Sequence, residues 1–537
     1  MWYYAPVNEN LEYLTLFARF PFSAHRFFKR RLTLQDAERI VRDRMEHRTD
    51  NFLRVVASSV YGNPRSPYLA LLKLAGCQLG DLRALVQQKG LEGALIELRA
   101  AGVYVTFEEF KGRKPIERHG QTIPVTARDF DNPFARRDFA TQSSGSTGLA
   151  TLVHQDLDDV AATAPDLMLS YSAYGVLDSP IITWAAFLPG PGFRFVLQSA
   201  YMGRALQRWF APNGWRESKY WLKYSAATLY MLASIRALGY TAPTPEIVPL
   251  DQAIVIARCL DQILKMAGSA LLLSGVSRAL RVCLAAEEAG IDLTGTVIRC
   301  AGEPVTEAKE AAMRRVGAQC RSGYVMTETG AVALACANPA FSSGLHLLKD
   351  AFALVTHEHT VAGQAATVRA LNLTSLLDTA PKVLLNTQMD DYAIVEERTC
   401  GCALEALGYG THIREIRSYS KLVGETVTLI GNEMLHILES VLPTRFGGSA
   451  LDYQLLEQED AQGFTRLFLV ISPRVQIADE RAVIEVMHTA LRDSTPMADA
   501  ARVVWQQAQT IQIQRSEPVW TASAKYKPLH IQRRTGQ

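Results

Sequence analysis

The chain reads as an α/β protein. It has a large N-terminal domain of mainly parallel sheets covered by helices, with a small antiparallel subdomain, and then a small mobile C-terminal α+β domain. Three observations predict this. Between residues 270 and 324, short apolar runs alternate with capped amphipathic stretches, the strand–helix–strand signature of a parallel sheet. Between 345 and 400 the pattern becomes short Val/Ile/Leu/Thr-rich runs broken by turns, which reads as antiparallel strands. After Gly424 a shorter strand–helix series starts again, marking a second unit.

The elements follow in order. Residues 1–100 read as mainly helical. Thr33 can cap a helix over 34–47, and Ser66-Pro67 opens another apolar-periodic stretch to Leu74. Residues 102–107 suggest a short strand or extended arm, and 112–133 a charged loop with prolines. Residues 141–151 come next, and nine of these eleven are Gly, Ser, Thr or Ala. This stretch is read as opening a helix from Gln155. Residues 181–197 are apolar around the turn Pro189-Gly190-Pro191-Gly192, and 218–239 read as a helix. Strands are expected at 270–273, 296–300 and 319–324. Between them lie helices capped by Ser277, ending at Gly290, and by Thr306, ending near Gly317. In the second unit the expectation is strand 426–430, helix 433–442, strand 467–471, helix 479–492 and strand 502–505. The domains are set at 1–418, with 1–130 a helical lead-in, and 419–537.

Composition narrows the function. The 537 residues carry a net charge of +2, from 56 basic and 54 acidic side chains, which argues against a nucleic-acid partner held by bulk attraction. Hydrophobic residues at 48% allow a large core. No run of about 18 apolar residues predicts a membrane span, and the N-terminus lacks signal-peptide character. Eight cysteines in this length are not a disulfide scaffold. The expectation is a cytoplasmic protein with no membrane partner; a homodimer is the oligomer this allows.

Four segments carry chemistry. In Ser143-Ser144-Gly145-Ser146-Thr147-Gly148 the glycines let backbone approach a ligand and the hydroxyls suit phosphate oxygens; a flexible linker is the plain alternative. Ala301-Gly302-Glu303-Pro304 and Tyr324-Val325-Met326-Thr327-Glu328 each end a strand, where ligands bind in open parallel sheets. Tyr324 could stack on a base, Thr327 hold a phosphate and Glu328 hold Mg²⁺. At Asp390-Asp391 a carboxylate could bind ribose hydroxyls. A metal set stands beside these. Cys336, His346, Cys400 and Cys402 make a closed Cys₃His group suited to structural Zn²⁺, stapling residues 336–402. His357 and His359 are competing donors.

These segments, in this order and rough spacing, resemble the adenylate-forming (acyl-activating) ligases, most closely the phenylacetate–coenzyme A ligase branch, over roughly residues 66–531. That branch has a similar Cys, Gly-Leu-His and Cys-x-Cys series, which Gly344-Leu345-His346 matches in its middle. The resemblance implies ATP and Mg²⁺ as cofactors and a carboxylic acid substrate. The acid attacks the α-phosphate to give an acyl-adenylate and pyrophosphate. Coenzyme A, a carrier-protein thiol or an amine then displaces AMP. It implies a phosphate grip at 143–148, Gly302, Glu303 and Pro304 beside the nucleotide, Tyr324 against adenine, Asp391 (or Asp390) on ribose and Arg417 (or Lys421) at the hinge. Lys525 (or Lys527), in Thr521-Ala522-Ser523-Ala524-Lys525, matches the catalytic lysine. Three departures stand out: Leu149 where a lysine is usual, Val325 where a glycine is usual, and no Asp pair in the hinge. A non-catalytic nucleotide-binding scaffold is the alternative. The apolar character of 187–193, 301–303 and 324–326 favours a hydrophobic or aromatic acid.

Overall fold

The computed structural model describes residues 9–142, 152–212, 221–340, 344–360, 367–418, 423–424, 427–428, 434, 436–460, 464–493, 496–519 and 529–531. One twelve-stranded sheet organises them. Its strands, numbered in chain order, are β1 (Ile181–Trp184), β2 (Arg208–Ala211), β3 (Glu246–Ile247), β4 (Ala270–Gly275), β5 (Thr296–Ala301), β6 (Gln319–Met326), β7 (Gly330–Ala335), β8 (Leu345–Leu347), β9 (Phe352–Thr360), β10 (Thr367–Ser375), β11 (Thr387–Glu397) and β12 (Thr411–Ser418). The order across the sheet is β9-β10-β11-β12-β8-β7-β6-β5-β4-β1-β2-β3. From β3 to β6 all neighbours are parallel, and from β6 to β9 all are antiparallel. The parallel and antiparallel parts expected from the sequence are thus two halves of one sheet that meet at β6.

The parallel half is buried on both faces, as such sheets require. Leu271, Leu273 and Val297 point into a core shared with the N-terminal helices and with α1 (Leu157–Ala173) and α2 (Gly192–Tyr201). Leu272, Ile298 and Cys300 point into a second core with α3 (Val276–Glu288) and α4 (Glu307–Arg315). That second core continues into a four-stranded sheet of β13 (Tyr453–Glu459), β14 (Thr465–Ile471), β15 (Ile511–Arg515) and β16 (Leu529–Ile531), ordered β15-β14-β13-β16. Among the described residues no helix is long and apolar enough to cross a membrane.

Several local expectations change. Residues 502–505 are not a strand: they lie inside the helix Pro496–Ala508, with Val503, Val504 and Trp505 buried. Packing of that apolar face overrides the β-propensity of two valines and a tryptophan. Part of 112–133 is a hairpin, Ile116–Arg118 against Gln121–Ile123. Its two-residue turn, His119-Gly120, has φ 50° and 74°, as a twist-matched turn needs. Ser277 is not the α3 cap, because Gly275 holds that position; Thr306 does cap α4.

A polar triad is buried where α1 meets the antiparallel half. The Tyr409 hydroxyl lies 2.6 Å from Asp166 Oδ1 and 3.0 Å from Asp350 Oδ1, and Arg44 reaches Asp350 Oδ2 at 3.4 Å. One hydroxyl hydrogen and one nearby guanidinium cannot satisfy two buried carboxylates, so the pair retains a proton. Burial first, and then the charge of Asp350, push Asp166 up to about 8. A carboxyl raised in the folded state stabilises fully below its unfolded value and loses that contribution as pH rises through its folded value. Asp166→Asn is therefore expected to gain on the wild type between pH 5 and 8.5, by up to about 1.4 kcal/mol per unit. Denaturant melts of both proteins across that range check this; a difference that stays flat with pH contradicts it.

Candidate active site

The site lies beyond the carboxyl ends of β4, β5 and β6, where a parallel sheet leaves backbone groups open. After β5 the chain turns at Gly302, whose φ of 93° suits glycine. The turn carries Glu303 into a buried position, where Ser277, on the first turn of α3, donates its hydroxyl to Oε2. The other oxygen, Oε1, is buried and has no hydrogen-bond partner among the described residues. An acceptor stranded at a strand end needs a donor from a ligand or water. Gly302 and Pro304 flank it on the exposed side.

At the end of β6 the pairing with β7 shifts register between Tyr324 and Val325. Such a bulge re-aims side chains, and the Tyr324 hydroxyl donates to Asp391 Oδ2 at 2.7 Å. These residues stand on β6 and β11, four strand steps apart. In a flat sheet that is about 19 Å, so the contact requires the antiparallel half to curl over the strand ends. Burial, then the Asp391 carboxylate, hold the Tyr324 hydroxyl well above its ordinary value. Asp391 pairs with Ser418 on β12, and Tyr392 with the exposed Arg417. Asp390 is buried and has φ 67°; its carbonyl accepts from the Ser418 hydroxyl at 3.2 Å. The sheet therefore brings Tyr324, Asp391 and Arg417 into one neighbourhood.

Thr327 and Glu328 form the turn that follows. The Thr327 carbonyl accepts from Gln155 at 3.3 Å, and Gln155 is itself held by Arg194, which donates to Asp159 at 2.9 Å and Thr163 at 3.0 Å. Glu328 is 5% exposed and pairs with Lys111. Burial raises its pKa, but the Lys111 charge and hydrogen bond, aided by Lys382, outweigh that and hold the carboxyl below its ordinary value. Lys111 follows a four-residue helix, Phe107–Phe110, closed by a Thr106/Glu109 capping box, and Glu109 is gripped by Arg118 at 2.9 and 3.0 Å. The sequence reading missed Lys111. Only its place after the compact Thr106-Phe107-Glu108-Glu109 cap signals that its position is fixed.

Ser143, Ser144, Gly145, Ser146, Thr147, Gly148 and Thr151 lie outside the described residues, as do Lys421, Lys525 and Lys527. The flanks of the hydroxyl-rich stretch are described, and they revise its setting. Phe139–Gln142 pairs antiparallel with Leu152–Gln155, so the stretch joins two strands rather than opening a helix. The helix α1 begins two residues further on, capped by Asp156.

The predicted metal set does converge. His346 Nε2 lies 3.1 Å from Cys402 Sγ and 3.8 Å from Cys400 Sγ, and the donor atoms of Cys336, His346, Cys400 and His412 all lie within 4.8 Å of one another. The Tyr409 carbonyl, 2.6 Å from His346 Nδ1, takes that proton and leaves Nε2 free as a ligand. Glu405 accepts from the Cys400 and Gly401 amides at 2.8 and 2.6 Å, which shapes the Cys-Gly-Cys turn. His412 is an addition. It sits directly opposite His346 across β8 and β12, is 1% exposed, and its Nε2 has no hydrogen-bond partner among the described residues. Thiol-rich donors plus an orphaned imidazole nitrogen fit a borderline-soft divalent ion. His357 lies on the edge strand β9 against Asn372 at 2.7 Å, and His359 is its neighbour there, so neither joins the cluster.

No protein-family description matches the chain, and no curated protein matches it. Solved structures do. One is 2-hydroxyisobutyryl-CoA ligase in complex with 2-HIB-AMP and CoA: 13% identity, 92% of this chain and 90% of that one covered, TM-score 0.54. An amide bond synthetase from Marinactinospora thermotolerans has 11% identity, coverage of 91% and 97%, and TM-score 0.41. The o-succinylbenzoate CoA synthetase from Bacillus subtilis has 10% identity, coverage of 72% and 67%, and TM-score 0.41. The first of these, spanning nearly the whole of both chains, shows that this protein has the fold of the adenylate-forming ligases.

Proposed function

We propose that the protein is an ATP-dependent ligase that activates a carboxylic acid as its acyl-adenylate and then passes the acyl group to a thiol. A carboxylate oxygen attacks the α-phosphorus. The bond to the bridging oxygen breaks, and pyrophosphate leaves with its electron pair. The acceptor sulfur, of coenzyme A or a carrier protein, then attacks the carbonyl and AMP departs. An amine in place of the thiol would give an amide.

The observation that carries this reading is the Tyr324–Asp391 contact beside Glu328, at the ends of the parallel strands. In our reading adenine lies against Tyr324, and the carboxylate of Asp391 accepts from ribose hydroxyls. Glu303 Oε1 accepts from a nucleotide donor. Ser143, Ser144, Gly145, Ser146, Thr147 and Gly148 wrap the polyphosphate, with Thr327 contributing a hydroxyl. Residues 419–537 act as the lid, Arg417 stands at the hinge, and Lys525 arrives with the lid. Mg²⁺ would be held by Glu328 and would neutralise charge on the leaving pyrophosphate. Zn²⁺ would be held by Cys336, His346, Cys400 and Cys402 and would staple the antiparallel half.

ATP–pyrophosphate exchange with a panel of carboxylic acids tests the proposal; acid-dependent exchange supports it and none overturns it. Lys111 gives the same assay a second arm. Its ammonium competes with a metal for Glu328, so Lys111→Met should lower the Mg²⁺ concentration needed for half-maximal exchange several-fold. The metal-free variant should lose about 3–5 kcal/mol of stability, because a buried carboxylate is left without its cation.

A further inference from the structure

Two arginines stand side by side just beneath the strand ends. Arg299 on β5 and Arg321 on β6 are register partners in the parallel pair, so their side chains leave the same face of the sheet. That face is covered by α1 and α2. The Arg321 guanidinium lies 5.4 Å from the ring of Tyr174, at the end of α1, and that of Arg299 lies 6.0 Å from the ring of Phe195 on α2. Both positive charges act on the Tyr174 hydroxyl, which places the two groups together.

Neither has an acidic partner among the described residues. The Nε atoms of both are buried without a hydrogen-bond acceptor. Arg321 reaches only the Cys320 carbonyl at 3.4 Å and the neutral Gln319 side chain at 3.1 Å. Every other half-buried arginine nearby is neutralised or satisfied: Arg194 by Asp159, Arg278 by the Trp184 carbonyl. Like charges held in register in a partly dry place repel each other and lack solvation, and an anion between them removes both costs.

The row to which they belong points to the ligand. Across the sheet it runs Thr183, Leu273, Arg299, Arg321, turning from neutral to basic at the two strands that end in Gly302-Glu303 and Tyr324. One pleat above, on the same face, the row is Gly275, Ala301, Gly323, with little side chain between the arginines and the strand ends. The reacting carboxylate must lie at those ends, where the nucleotide is read to bind. A group about 7 Å deeper, two strand residues down, meets the guanidinium pair.

Resting on the ligase reading above, we propose that the acid substrate carries a second anionic group, a carboxylate two to five carbons from the first, held by Arg299 and Arg321. Its body is apolar, lying along Phe195 and Tyr174. The sequence-based expectation of a simple hydrophobic acid left these two residues out of the pocket. Phosphate of ATP or coenzyme A is the rival occupant of a basic pair, but it would bind outside the strand ends rather than one pleat within them.

The test compares matched acids: phenylacetate against 2-carboxyphenylacetate, and hexanoate against adipate, in ATP–pyrophosphate exchange and in thermal-shift titration. The wild type should prefer each dicarboxylate by at least about 100-fold in kcat/KM, mostly through KM. Arg299→Met and Arg321→Met should each collapse that ratio, and Arg321→Lys should keep part of it. Dicarboxylate stabilisation in thermal shift should disappear in the Met variants, while stabilisation by ATP alone persists. Exchange with the monocarboxylates and not the dicarboxylates overturns this inference and leaves the ligase reading standing. No exchange with any acid overturns the ligase reading, and the titration then decides the anion site: arginine-dependent dicarboxylate binding supports it, and none overturns it. ATP stabilisation lost in the Met variants assigns the pair to phosphate and also overturns it.

Discussion

Replacing Lys525 with alanine is expected to cut adenylate formation by about 10²–10³-fold while leaving acyl transfer from a presynthesised adenylate near its normal rate. The asymmetry follows from where charge develops. In the first step the acid's carboxylate and the α-phosphate, both anionic, are forced together, and a positioned ammonium offsets their repulsion in the transition state. In the second step the adenylate already exists and the incoming thiol needs no such bridge. The lysine lies in a short segment leading into β16, which pairs in parallel with β13 through Leu455 and Leu529. The end of that segment is thus tied to the C-terminal sheet, and movement of the sheet would deliver or withdraw it. Lys527→Ala, two residues nearer the strand, is the control. Should Lys527→Ala abolish exchange and Lys525→Ala spare it, the assignment moves to Lys527.

The second large effect concerns the thiol cluster. Purified protein is expected to contain one zinc per chain. Cys336→Ser, His346→Ala or Cys402→Ser should remove it and destabilise the protein by more than about 3 kcal/mol, since metal binding energy is folding energy. Cys402 is included because its sulfur lies 3.1 Å from His346 Nε2. His412→Ala is the discriminating variant. If three thiolates and His346 form the set, this variant retains its zinc. If His412 is the fourth ligand, the zinc is lost and Cys402→Ser keeps it. Metal analysis by mass spectrometry with matched melts reads both results, and metal-free wild-type protein of unchanged stability would reject the site.

Much of this arrangement was legible in the residues. The capped helices and apolar runs from 270 to 324 report the parallel half because each strand is buried on both faces and each helix on one, which writes two distinct periods into the chain. The cysteine and histidine spacing marked a metal set because thiols near an imidazole have few other reasons to gather. What escaped was non-local. Lys111 meets Glu328 across 217 positions, and nothing within a few residues of either announces the pair. His412 joins the cluster only through its register with His346. Arg299 and Arg321 read as ordinary polar positions until the parallel register sets them side by side. The helix Pro496–Ala508 was mistaken for a strand because Val503 and Val504 have β-type side chains, and local preference alone cannot reveal which surface they pack against.

The strand order carries a consequence for assembly. β12 lies between β8 and β11, so β8, completed at Leu347, waits for residues 411–418 before its outer edge is paired. During synthesis that interval leaves a short apolar edge, Leu345 to Leu347, open to the wrong neighbour. Cys336 and His346 fall on one side of the gap, and Cys400, Cys402 and His412 on the other. A metal ion gathered from both sides would act as a clasp that brings the late strand to its slot and sets its register. A cell short of zinc would then be expected to accumulate this chain as aggregates or proteolytic fragments, with its parallel half formed and its other half never closed.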